Sequence, residues 1–357
     1  AAGAATVATI GFPMVSRAET TIIKMQGAWG AKDIFNEFAE DYVKRVNEMA
    51  GGRLKIQYLL SGAVVKSFQV QDAVHKGVLD AGHQVAAYWY GKSKVASLFG
   101  TGPVYGQNAN QGLAWMYHGG GLELYQELME NLGLNLVGFF CMPMPTQPLG
   151  WFKKPIEKSE DMVGIKWRTV GLAADVMQEM GVKVTQLPGG EIVPALERGV
   201  IDAFEYNNPT SDKNFGAQDV SKVYMLGSYH QASEYFEVIF NKTKYDALAD
   251  DQKAILRYAA EAASSDNYWK GQDRYSTDLQ WLMNEAGVKV YRTPQAVMED
   301  QLKAWDKVLP NLEQDPFFAK VVKSYKEFSK RVAYYELMNA ADYKLAYEHY
   351  FPGELGF

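Results

Sequence analysis

Two separate stretches of this chain run through the same alternation of short apolar strand and amphipathic helix. In the first, residues 21–29 read as a strand. Phe35, Phe38, Tyr42, Val46 and Met49 then recur at helical spacing until Gly51 and Gly52 stop the helix. Residues 53–59 alternate as a half-buried strand, a helix covers about 68–76, and a further strand follows at 79–85. The second stretch repeats the order: strand 164–169, helix 172–180 closed by Gly181, strand 182–186, helix 190–199 and strand 200–206. A β-α-β-α-β order implies a mostly parallel sheet with helices on its faces. Two such units, the second the smaller, make an α/β protein of two lobes.

The segments between the units say how the lobes connect. Residues 141–148 are rich in proline and unsuited to a helix, and they lead into the apolar run 149–152, a first crossing between lobes. The strong strand pattern at 235–241 is a second crossing that rejoins the first sheet. The expected division is lobe I from 19–145 with 232–292, lobe II from 146–231, and C-terminal helices over 293–357. Two lobes joined by paired crossings make a clamshell that closes about a hinge. A helix capped at Asp250 or Asp251 is expected to run to about Glu285, with a short strand at 288–291 after it. The last helix, about 316–349, would be about 50 Å long. Its apolar side (Val321, Tyr325, Phe328, Val332, Tyr335, Met338) either braces the lobes or meets a second copy in a homodimer.

Composition removes several function classes. A formal net charge of −6 and the lack of basic runs argue against nucleic acid as a partner. The single cysteine, Cys141, rules out an intramolecular disulfide and sits in an apolar strand end. No glycine-rich fingerprint opens a helix after the first strand and no Walker A sequence occurs, so no nucleotide or organic cofactor is implied. The five histidines show no metal-ligand spacing, and no Gly-x-Ser-x-Gly elbow is present. Residues 1–18, rich in alanine with Ser16-Arg17-Ala18 before Glu19, read as the remnant of an export signal or as a tail; no other run approaches membrane-spanning length.

Ligands in doubly wound sheets sit beyond the carboxyl ends of the strands. Arg168 ends one such strand and Glu205 the next. A guanidinium is always charged, and its planar fork matches a carboxylate, so Arg168 is either the anchor of a small organic acid or half of a salt bridge within its lobe. Tyr88 and Trp89, in the aromatic run after the third strand, either line the pocket or pack in the core. Glu205 with a histidine also allows a rival reading as an exported acid–base lyase, for which the pair Glu205 and Asp202 gives only weak support.

The spaced motifs Gly164-Ile165-Lys166-Trp167-Arg168, Gly189-Gly190-Glu191, Pro194-Ala195-Leu196-Glu197-Arg198-Gly199 and Ile201-Asp202-Ala203-Phe204-Glu205 together resemble the TRAP transporter substrate-binding proteins of the DctP family, over most of the chain. Within it they look most like the branch that takes 2-oxo acids with a cation. The resemblance implies a periplasmic two-lobed receptor that closes on a small carboxylate, a 2-oxo or 2-hydroxy monocarboxylate or alternatively an aromatic or sugar acid. It delivers that guest to a membrane permease. It implies that Arg168 takes the carboxylate, and that Gln147, Glu205 and the main-chain carbonyl of Tyr206 surround a Na⁺ or Ca²⁺ ion. The remaining cation ligand in that branch is usually acidic, whereas Gln231 stands at the aligned position here, with Glu234 three residues on. Asn207, Asn208 and Asp212 would add polar contacts.

Overall fold

The computed structural model describes residues 20–356, so the expectation for residues 1–18 lies outside it. Its strands are, in chain order, β1 Thr21–Gly27, β2 Leu54–Leu59, β3 Ala81–Gln84, β4 Leu136–Met144, β5 Gly150–Phe152, β6 Lys166–Thr169, β7 Lys183–Gln186, β8 Ala203–Phe204, β9 Val223–Leu226, β10 Glu234–Asn241 and β11 Lys289–Arg292. They form two sheets, ordered β2-β1-β3-β10-β4 and β11-β9-β5-β8-β6-β7. Within the first, β1 pairs in parallel with β2 and β3, while β10 runs antiparallel between β3 and β4. The second has the parallel trio β7-β6-β8, to which the crossing strand β5 adds antiparallel.

The first β-α-β unit shows why the sequence folds this way. β1 alternates in burial at its start, then is wholly buried at Met25, Gln26 and Gly27, the carboxyl end that faces the other lobe. The following helix, Ile34–Met49, buries Phe35, Phe38, Tyr42 and Val46, spaced three or four residues apart on one stripe. Each such side chain contributes roughly 1.5–3 kcal/mol by leaving water. Asp33 caps this helix by accepting from the Phe35 amide.

Three departures from the sequence reading concern the ends of elements. The strand expected at 288–291 falls in lobe I by the sequence division, but β11 pairs in parallel with β9 and extends the second sheet to six strands against the first's five. The expected strand 200–206 shrinks to Ala203–Phe204, because only Trp167↔Ala203 and Arg168↔Phe204 on β6 and Trp151 on β5 find partners. The expected helix 316–349 is broken into Pro316–Asn339 and Tyr343–Tyr350, with Ala340 in an extended conformation between them.

The lobe-spanning brace is a different helix, Asp250–Asn284, whose 35 residues reach about 52 Å. Its first half holds lobe I: Tyr42 Oη donates to Leu256 O, and Ser264 Oγ accepts from the Met142 amide. Its last turns belong to lobe II, where Lys213 pairs with Asp278 at 2.7 Å and Leu282 packs with Trp151 and Tyr224. The helix Pro316–Asn339 instead buries Phe318, Val321, Val322 and Tyr325 against lobe I. Beyond Ala333 its apolar side chains leave the protein, and Leu337, Met338 and Tyr343 are all more than 70% exposed.

Candidate functional site

The two crossings bring the first site residues together. The Gln147 amide donates to the Gln231 carbonyl at 3.1 Å, tying β4–β5 to β9–β10 between the lobes. The side-chain nitrogen of Gln147 donates to Glu234 Oε2 at 2.6 Å, which leaves Gln147 Oε1 buried without a partner. Gln231 donates from Nε2 to the Val170 carbonyl, and its Oε1 is likewise buried and unpartnered. Gly150 sets how closely this crossing passes the second sheet. Its φ is +131°, and a Cβ there would lie 2.2 Å from the Phe204 carbonyl oxygen.

Arg168 and Glu205 lie at the carboxyl ends of neighbouring β6 and β8, as their positions predicted, and both are fully buried. Arg168 Nη1 donates to Glu205 Oε1 and to the Glu205 carbonyl, each at 3.0 Å, and Nε donates to the Leu187 carbonyl at 2.8 Å. Nη2 makes no hydrogen bond among the described residues. Glu205 Oε2 is buried with no partner. Of the two sequence readings of Arg168, the salt bridge within its lobe is the one present, and it leaves Nη2 unused.

The electrostatics describe a crevice with more acids than bases. Burial pushes the Glu205 carboxyl up to about 7 against the opposing pull of the Arg168 charge. Burial raises Glu234 to about 8, with the Gln147 hydrogen bond opposing it and the charge of Glu205 adding to it. The Tyr88 hydroxyl is pushed up by burial and feels the charges of Arg168, Glu234, Asp33 and Glu205. Unpartnered buried acceptors are each unfavourable by about 1–3 kcal/mol. Gln147 Oε1, Glu205 Oε2 and Gln231 Oε1 are all oxygens, the donor chemistry that suits a hard cation. No group of three or more His, Cys, Asp or Glu able to hold a metal occurs among the described residues, and this donor set contains one carboxylate.

The remaining predicted residues divide. Tyr88 stands against Trp29 and Phe68, its hydroxyl within reach of the Arg168 charge. Trp89 turns another way: it is buried in the core of lobe I with its ring 5.9 Å from that of Tyr125, because the turn at Ala86–Trp89 is a tight helical one that separates neighbouring side chains. Asn207 points its amide nitrogen at Asp33 of lobe I (3.0 Å). Asn208 caps the helix Pro209–Phe215 through the Ser211 amide, and Asp212 accepts from Trp151 Nε1 and the Asn207 amide. Tyr206 lies with the Arg168 guanidinium 5.8 Å from its ring centre, and a Cβ on Gly189 would strike that ring. Sequence reasoning missed Asp33. Its signal was present, a helix-capping aspartate just past the carboxyl end of β1, where ligands of such sheets sit.

Such a molecule, with two α/β lobes about a buried arginine and a ring of oxygens, belongs to the class of two-lobed solute-binding proteins. The DctP family, bacterial extracellular solute-binding protein family 7, matches residues 25–315, and this chain belongs to it. The chain is 33% identical over 307 residues to a monocarboxylate 2-oxoacid-binding periplasmic protein of Nostoc sp., covering 86% of this chain and 83% of that one. Among solved structures it is similar to a TRAP transporter solute-binding protein from Bordetella bronchiseptica, with a TM-score of 0.86 and 28% identity over 94% of this chain and 98% of that one. That protein is a mixed-occupancy dimer with copurified calcium and picolinate. A TRAP periplasmic solute-binding protein from Pseudoalteromonas atlantica, with bound sodium and pyruvate, gives 0.84 and 29% over 93% and 99%. No helix among the described residues is long and apolar enough to cross a membrane.

Proposed function

We propose that this chain is the periplasmic receptor of a TRAP transporter, binding a 2-oxo or 2-hydroxy monocarboxylate with a Na⁺ or Ca²⁺ ion and handing it to the membrane permease. One observation carries this reading: three buried oxygens without partners, one of them on the Glu205 that pairs with Arg168, and an arginine whose Nη2 is unused. Glu205 holds Nη1 and fixes the guanidinium plane, so that Nη2 presents a charged donor to the guest carboxylate. Gln147 Oε1, Glu205 Oε2, Gln231 Oε1 and the Tyr206 carbonyl would hold the cation, which when bound offsets the surplus negative charge and attracts the guest's oxygens. Glu234 orients Gln147, turning its oxygen rather than its nitrogen into the crevice.

The preference for 2-oxo acids rests on the Nostoc relative and on the pyruvate held by the Pseudoalteromonas protein. An aromatic acid is the second reading, favoured by Tyr88 within reach of the Arg168 charge and by the picolinate of the Bordetella protein. The lyase reading draws no support from the buried histidines: burial pulls both His83 and His230 down to about 3, and Glu205 is paired with Arg168. The apolar segment beyond Ala333 (Leu337, Met338, Tyr343, Leu345) is the surface a second copy would cover in a homodimer.

Titration calorimetry of pyruvate tests the site, with protein stripped of metal and then resupplied with CaCl₂ or NaCl. Binding is expected only with a cation present, and Arg168→Ala is expected to weaken it at least a hundredfold. Normal affinity in that variant overturns the anchor, and undiminished affinity after stripping overturns the cation.

A further inference from the structure

The side chain that does most to join the lobes is not one of the predicted ligand residues. Asp33 sits in lobe I at the start of the helix Ile34–Met49, 7% exposed. Its Oδ1 accepts from the Phe35 amide at 2.9 Å and from Ser211 Oγ at 3.0 Å. Its Oδ2 accepts from Tyr206 Oη at 2.6 Å and from Asn207 Nδ2 at 3.0 Å. Three of these four donors belong to lobe II. They converge because the chain leaves β8 at Phe204, turns through residues 205–208 and enters the helix at Pro209, so that 206, 207 and 211 face the same way. A groove of about 330 Å³, lined in part by Lys32, Gly189, Val193 and Phe215, opens beside the contact.

Two of those donors also belong to the site. Tyr206 lies against the Arg168 guanidinium and follows Glu205 directly, and Asn207 is positioned from behind by Asp212. A group on one lobe that hydrogen-bonds these side chains of the other can be fully engaged only when the 205–208 turn holds its site geometry.

We infer that Asp33 is the closure latch of this receptor, a positioning residue that locks lobe I onto the 206–211 segment and couples lobe closure to the arrangement of the ligand and cation residues. The inference rests on the receptor reading for its coupling to the guest and on the interlobe hydrogen bonds alone for its effect on closure. A latch acts on the closed state and not on the encounter, so its loss speeds release and leaves capture unchanged.

The test uses Asp33→Ser, which keeps a good helix cap but withdraws the second carboxylate oxygen, and Asp33→Asn, which keeps one side-chain oxygen. Spin labels at exposed Lys55→Cys and Lys183→Cys, one on each lobe, report the interlobe distance by pulsed dipolar spectroscopy; Cys141 is buried and takes no label. In ligand-free protein, Asp33→Ser is expected to lower the closed-to-open ratio at least tenfold, with Asp33→Asn between it and the parent. In stopped-flow tryptophan fluorescence with pyruvate and CaCl₂, the dissociation rate is expected to rise at least tenfold and the association rate to stay within twofold. An unchanged distance distribution, in a variant whose circular dichroism matches the parent, overturns the latch. Should the parent fail to bind pyruvate, the receptor reading falls, while the ligand-free distances still decide the latch.

Discussion

Glu237 gives the sharpest quantitative test of how this protein is built. It lies in the middle of β10, buried in lobe I, where Gln84 Nε2 donates to one oxygen at 2.9 Å and Tyr125 Oη donates to the other. No cation pairs with it among the described residues, and burial pushes its carboxyl from 4.5 up to about 8, the two hydrogen bonds opposing that rise. The group therefore stays protonated in the folded protein across a range where the unfolded chain has lost the proton. A raised carboxyl lends stability that is fully present below 4.5 and is lost as pH climbs through 8. Between pH 5 and pH 8 the loss from this one group is about 3 kcal/mol, at 1.36 kcal/mol per pH unit. Glu237→Gln keeps the shape and the hydrogen-bonding reach and cannot ionise. Urea unfolding of both proteins at pH 5, 6, 7 and 8 isolates the group, since Glu205, Glu234, Asp212 and Asp33 change equally in each. The variant is expected to gain on the parent steadily as pH rises, by about 3 kcal/mol in all. Stability curves that stay parallel over that range would refute the argument that Glu237 is a neutral acid held by burial.

Three further outcomes follow from the site and its supports. Arg168→Met leaves Glu205 buried without its partner and should lose about 3–5 kcal/mol in urea unfolding, whereas Arg168→Met with Glu205→Gln should recover most of it without recovering pyruvate binding. A double variant no more stable than the single would remove the ion pair as the cause. Gly150→Ala places a methyl against the Phe204 carbonyl and should be destabilising by more than about 2 kcal/mol, with weaker pyruvate binding by calorimetry. Ending the chain after Ala333 strips away the exposed apolar segment, and sedimentation is expected to show a dimer for the full chain and a monomer for the shortened one.

The alternation of strands and helices, the two crossings and the placement of Arg168 and Glu205 at neighbouring strand ends were legible because each depends on local periodicity or on a strand end, whereas Gln147 and Gln231 came from the family resemblance. The spacing of Phe35, Phe38, Tyr42 and Val46 needs no tertiary knowledge to read as a buried helix face. What escaped were features set by partners distant in sequence. β11 reads as an isolated four-residue run, and only β9 tells it which sheet to join. Trp89 and Tyr88 look equivalent as neighbours, yet one tight turn sends the first into the core and the second within reach of the Arg168 charge. Asp33 is an ordinary cap by its own segment, and its role depends on donors more than 170 residues away. The split of the last helix at Ala340 has one marker, Asp342, which caps the second piece by accepting from the Leu345 amide, and an aspartate inside an apolar periodic pattern is easily read through.

The bond from the Gln147 amide to the Gln231 carbonyl joins two spans that cross between the lobes. In the proposed receptor, recognition is therefore exercised at the pivot itself. A guest that takes hold of those two glutamines would grip the axle rather than the doors. In that arrangement the parts that sense occupancy lie on the spans that turn.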